Sequence, residues 1–211
     1  MAQIFSVKNP LSQLAIKLFN NGKGIIPSDR KGIFITLFFA IFTTVTGVGI
    51  VVPLLPVYAN DLGATGIYVG MIFGSFSISR IFLLPVFGRL SDQQGRKPYI
   101  VAGLSAYTLI SFAFIFSKNI ETLIILRFIQ GAGSAMIMPV AQAYVGEITP
   151  EGSEGYAMGL FNLSMFLSLS LGPLMGGGIK DIWSLDAAFI CMGLLSGVGL
   201  LLCIFFLPAV S

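Results

Sequence analysis

Histidine is absent from this 211-residue chain, cysteine occurs only twice, and charged side chains make up just 10% of it. Without histidine or clustered cysteines, most zinc chemistry and every His-assisted nucleophile are excluded, and no catalytic residue, metal or cofactor is expected. Cys191 and Cys203 lie in one apolar segment, about 18 Å apart along a helix and far beyond disulfide reach, so they read as inert core thiols. A soluble domain would carry about a quarter charged residues to cover its surface. Here 55% of the residues are hydrophobic and the mean hydropathy is +0.92. Lipid is the expected solvent.

What the chain does have is apolar runs of about 20 residues, the length that crosses a bilayer as a helix. Six are predicted, near 32–58, 67–89, 98–117, 121–146, 156–180 and 187–208. The fold class is therefore all-α: a polytopic bundle over 32–208, with tails over 1–31 and 209–211. Short polar stretches punctuate it, above all the charged turn from Gly88 to Pro98.

Lys and Arg in short flanks favour the cytoplasmic side. Lys8, Lys17, Lys23, Arg30 and Lys31 precede the first span, and Arg89, Arg96 and Lys97 fill the turn after the second. Both termini are thus expected in the cytosol, in an inner or plasma membrane. The net charge of +3 then reflects topology. Nucleic acid is not an expected partner, since no basic stripe with interleaved aromatics exists. Leu11, Leu14, Ala15, Leu18 and Phe19 follow helical spacing, which fits a short amphipathic surface helix or a loosely ordered tail.

Spans one and four carry matching interruptions, Gly47, Gly49, Pro53 and Pro56 in one, Gly131, Gly133 and Pro139 in the other. Corresponding Gly/Pro breaks in two halves predict a 3+3 inverted repeat around a central cavity, although both residues are common in membrane helices anyway. Small residues recur every four positions at Ser164, Ser168, Gly172 and Gly176, at Gly66, Gly70 and Gly74, and at Gly193 and Gly197. They predict surfaces where helices approach closely.

Two arginines fall within spans. An intramembrane Arg costs about 2.5–3.5 kcal/mol on insertion scales, so it should face protein or water. Arg80 reads as an anchor reaching for headgroups or a helix end. Arg127 shares a helical face with Gln130, Gly131, Ser134 and Met138, and that face reads either as a wall of a pathway or as the setting of an outward-snorkelling cation. All nine acidic residues lie in loops or at span ends, so no buried carboxylate is expected to carry a proton.

These residues add up to a family resemblance. Gly88-x-Leu90-x-Asp92-x-x-Gly95-Arg96-Lys97 resembles the loop motif of the major facilitator superfamily. Arg127-x-x-Gln130-Gly131 is similar to its span-four motif, Gly172-Pro173-x-x-Gly176-Gly177 to its antiporter-branch motif, and Pro53-x-x-Pro56-x-Tyr58 to the end of span one in drug-efflux members. The resemblance implies a cytoplasmic gating cluster of Asp92, Arg96 and Glu147, with Gln93 standing where a base is common. It implies coupling or pathway roles for Arg127, Gln130, Gly131 and Arg80, and a kink with close contact at Gly172 and Pro173. Pro53, Ser134, Met138, Asn162 and Met165 are candidates for the substrate cavity, or else ordinary core.

The function so implied is proton-coupled efflux of small organic or drug-like molecules by alternating access. Members of the family have two such bundles, and the chain resembles the N-terminal one. The expected partners are lipid, a small-molecule substrate with protons, and a second six-helix bundle from another chain or a second copy. A non-transporting six-helix membrane module, or a truncated transporter, that assembles with or regulates a partner is the alternative.

Overall fold

The computed structural model describes residues 26–208, and every regular element among them is helical. Helix α1 (Lys31–Val51) passes through a 3-10 turn (Val52–Leu54) into the short α2 (Leu55–Asp61), and together they form the first span. The others are α3 (Gly66–Gln94), α4 (Arg96–Ala113, ending in a 3-10 turn over Phe114–Phe116), α5 (Ile120–Ile148), α6 (Glu154–Ile182) and α7 (Leu185–Phe206). Among the described residues these six spans are long and apolar enough to cross a membrane. Only a structure that satisfies its own backbone hydrogen bonds survives there. The chain is an integral membrane protein with six spans among its described residues. The expected amphipathic stretch over Leu11–Phe19 and the tail 209–211 lie outside the described residues.

Four of the six spans run past both expected limits, and this changes the charged turn. α3 continues to Gln94 and α4 restarts at Arg96, leaving Gly95 as the one residue between them, at φ 91°. Asp92 therefore sits in the last helical turn of α3 instead of a loop. Apolar runs mark the hydrocarbon, whereas Ser91 to Gln94 continue the helix into the headgroup layer until a glycine in the left-handed region ends it. Two other connections are closed by side chains. Asn119 accepts from the Thr122 amide at 2.8 Å to cap α5, and Ser184 accepts from that of Ala187 at 3.1 Å to cap α7. Pro139 lies inside an unbroken α5, while Pro53 falls in the 3-10 turn of span one.

Span one packs chiefly against α6 and α7, α5 against α3 and α4, and α4 against α7. Exchanging spans one, two and three for four, five and six maps this scheme onto itself: one on five becomes four on two, one on six becomes four on three, and three on six is its own image. That is the 3+3 repeat expressed as contacts. A glycine allows close approach in each of the two corresponding helix pairs, one with five and four with two. A Cβ on Gly176 of α6 would collide with the Ile50 carbonyl of α1, and one on Gly131 of α5 with the Phe76 carbonyl of α3.

Ser164, Ser168, Gly172 and Gly176 are all buried, and the Ser168 hydroxyl reaches across to the Phe42 carbonyl at 2.8 Å. The stripe at Gly66, Gly70 and Gly74 differs from its expected role. Nothing among the described residues lies within 4 Å of where their Cβ atoms would be, so none of the described helices occupies that groove. Outward faces carry apolar side chains such as Ile81, Phe82, Leu174 and Phe205, suited to lipid contact.

Candidate functional site

The end of the bundle at Gly95 holds a charge cluster built by three helices. Arg96, the first residue of α4, donates from Nε and Nη2 to one carboxylate oxygen of Glu147 at 3.0 and 2.6 Å, and from Nη1 to the Ser91 hydroxyl at 2.8 Å. The same guanidinium pairs with Asp92, one turn back on α3. Its side chain is only 13% exposed, against 60% for Asp92 and 50% for Glu147. The base is thus held while both acids stay wet, and a pair of that kind is easily broken. Lys97 donates to the Ile204 and Leu207 carbonyls at the end of α7, where a cation offsets the helix dipole. Arg30 donates to the Glu147 carbonyl at 3.3 Å. Leu90 and Gly88 are half-buried about one and two turns before the Gln94 end of α3, and Gln93 is exposed.

Five of the six spans converge on a central cleft of ≈ 180 Å³. Val48 from α1, Phe76 and Arg80 from α3, Tyr107 from α4, Ser134 and Met138 from α5, and Met165 from α6 line it. Pro53, exposed on its 3-10 turn, and Asn162, half-buried on α6, are not among the lining residues. The Asn162 amide oxygen is buried without a hydrogen-bond partner among the described residues.

The face of α5 read as one wall has two parts. Ser134 and Met138 border the cleft, whereas Arg127, Gln130 and Gly131 are packed behind it. Arg127 is 4% exposed. It donates from Nη1 to the Gln130 side-chain oxygen at 2.7 Å and lies 4.5 and 5.5 Å from the ring centroids of Phe76 and Phe73. Gln130 in turn points its amide at the Met192 sulfur of α7, 3.9 Å away. Two aromatic faces stand where a carboxylate would be expected, an arrangement worth about 2 kcal/mol in a dry site. Phe76 is the partition, with Arg127 stacked on it and the cleft bordered by it.

On α6, Gly172 and Gly176 press against Gly49 and Ile50 of α1, whereas Gly177 meets nothing within 4 Å and Pro173 is exposed. Sequence reasoning missed Tyr107, Phe73 and Phe76. An aromatic one turn before Arg80 and a tyrosine in mid-span were the available signals, but aromatics are ordinary lipid-facing residues too.

The model of the Major Facilitator Superfamily matches residues 37–211. An uncharacterized MFS-type transporter of Methanocaldococcus jannaschii, MJ1560, is 36% identical over 167 residues, covering 79% of this chain and 43% of that protein. Quinolone resistance protein NorA of Staphylococcus aureus is 33% identical over 153 residues, covering 72% of this chain and 39% of NorA. The human organic anion transporter MFSD10 superposes with a TM-score of 0.71 at 20% identity, over 86% of this chain and 48% of that one. The matches place the chain among transporter-type membrane proteins, not enzymes. The chain belongs to the major facilitator superfamily, and it spans less than half the length of these curated relatives.

Proposed function

We propose that the bundle is the N-terminal half of an exporter that moves small organic or drug-like molecules outward by proton-coupled alternating access. The observation that carries this reading is the pairing, in one bundle, of an apolar cleft with a breakable ion cluster at one end. Alternating access needs both: a site near mid-membrane, and a latch whose opening changes which side reaches it. Likeness to NorA supports the drug-efflux branch.

In this reading both termini are cytosolic and the Asp92–Arg96–Glu147 cluster latches the outward-open state. Gly172 and Gly176 let α6 slide on α1, and Pro173 deprives α6 itself of a hydrogen bond. Arg127, held by Gln130 and set against α3 at Gly131, assists coupling. The second wall of the cavity, and with it the proton-carrying carboxylate, comes from a second six-helix bundle, in another chain or a second copy.

The test is accumulation of fluorescent organic dyes in everted vesicles that contain the chain with a second six-helix bundle, with and without an imposed pH gradient. Gradient-dependent accumulation lost in Asp92→Asn is the expected result. Accumulation indifferent to the gradient would overturn proton coupling, and no accumulation of any dye would overturn export.

A further inference from the structure

Arg80 is the fifteenth of the 29 residues of α3, with fourteen residues, about 21 Å, of helix on either side. The headgroup layer begins about 15 Å from mid-membrane, further than an arginine can snorkel. Its side chain instead borders the central cleft, beside Phe76, Tyr107 and Met138. No ion pair or hydrogen bond engages it among the described residues.

A cation in such a place calls for an anion, and the chain does not supply one. All nine Asp and Glu residues fall within the described residues and none lines the cleft. Asp92, on the same helix, is about 18 Å away along the axis. The field has a second source of the same sign, since Arg127 lies on the other side of the Phe76 partition without a carboxylate of its own. The cleft is therefore a positively charged site with apolar walls, and the Tyr107 and Ser134 hydroxyls border it as further donors.

We propose that this cleft selects organic anions: a carboxylate or similar head group is held by Arg80, and the apolar body lies against Phe76, Met138 and Met165. Arg80 is then the residue that sets substrate charge. A guanidinium presents paired donors that match a carboxylate in two-point contact, which an ammonium ligand cannot exploit and a neutral amide exploits only in part. The proposal rests on the cleft being the substrate path, and its test separates the two ideas.

Purified protein in lipid nanodiscs is titrated by equilibrium dialysis with three probes that share one apolar body: 1-naphthylacetate, 1-naphthylacetamide and (1-naphthylmethyl)trimethylammonium. The carboxylate should bind about tenfold more tightly than the amide, and the ammonium most weakly. Arg80→Gln should remove the carboxylate's advantage while leaving the amide within about twofold, and Arg80→Lys should keep part of it. Met138→Trp, which fills the cleft, should weaken all three. Equal binding of the carboxylate and amide, both weakened by Met138→Trp, would overturn the charge assignment and leave the cleft reading intact. A carboxylate preference that survives Arg80→Gln would overturn it equally. No binding of any probe, or binding indifferent to Met138→Trp, would overturn the cleft itself and the proposal with it.

Discussion

Arg96 holds a single oxygen of Glu147 with two N–H donors, at 2.6 and 3.0 Å, and so ties the first turn of α4 to the last turn of α5. These two helices already pack against each other along their length. The ion pair is therefore surplus to the fold and free to serve as a contact that breaks and reforms.

Glu147→Gln should accordingly lower thermal stability only slightly, by about 1 kcal/mol or less for a half-exposed pair. It should still raise the labelling rate of a thiol introduced by Leu90→Cys, because the clustered state is less populated. Labelling by a water-soluble maleimide measures this, and an unchanged rate would remove the latch role.

Gly172 and Gly177 separate packing from mere glycine content. A Cβ on Gly172 would stand 2.6 Å from the Gly49 Cα, while one on Gly177 meets nothing within 4 Å. Gly172→Ala should cost about 1–3 kcal/mol by forcing α6 away from α1, and Gly177→Ala should be close to neutral. Thermal unfolding in detergent by circular dichroism gives both values. Equal effects would show that the contact does not govern stability.

Arg127 is buried without a carboxylate, and its Nε has no hydrogen-bond partner among the described residues. Its stacking on Phe73 and Phe76 offsets a burial cost of similar size. Arg127→Met should therefore change stability by no more than about 1 kcal/mol, since an apolar side chain of similar length needs no partner. Dye transport should meanwhile lose its dependence on the pH gradient. Severe destabilisation without a change in coupling would make the residue structural.

Orientation can be read directly from reporters. Fusions after residues 64, 119 and 184 should report the external side, and those after 94 and 152 the cytosol, because the basic residues cluster at the latter end. Alternating phosphatase and fluorescent-protein activity is the measurement, and an inverted pattern would reverse every assignment of inside and outside.

Span number and order were legible because length and apolarity alone decide what crosses lipid. The cluster of Asp92, Arg96 and Glu147 was legible only through its resemblance to a family motif, since nothing in the spacing brings residue 147 to residue 96. Two features resisted for one common reason. Gly66, Gly70 and Gly74 have the same four-residue rhythm as Ser168, Gly172 and Gly176, but only the second set meets another helix. Arg80 and Arg127 are both mid-span arginines, yet one borders the cleft and the other lies behind Phe76. Periodicity says which residues share a face, whereas the rotation of each helix about its axis is set by neighbours distant in sequence.

The pattern of neighbours also dictates the order in which the bundle can be put together as it leaves the ribosome. Span one rests on α6 and α7, and only α4 and α5 pack extensively on the span next in sequence. A nascent chain that has reached Thr149 can join α5 to α3 and α4, while its first helix still waits in lipid with the Gly49 groove empty. The later arrival of Gly172 and Gly176 closes that groove, so the last two helices complete the bundle by capturing the first.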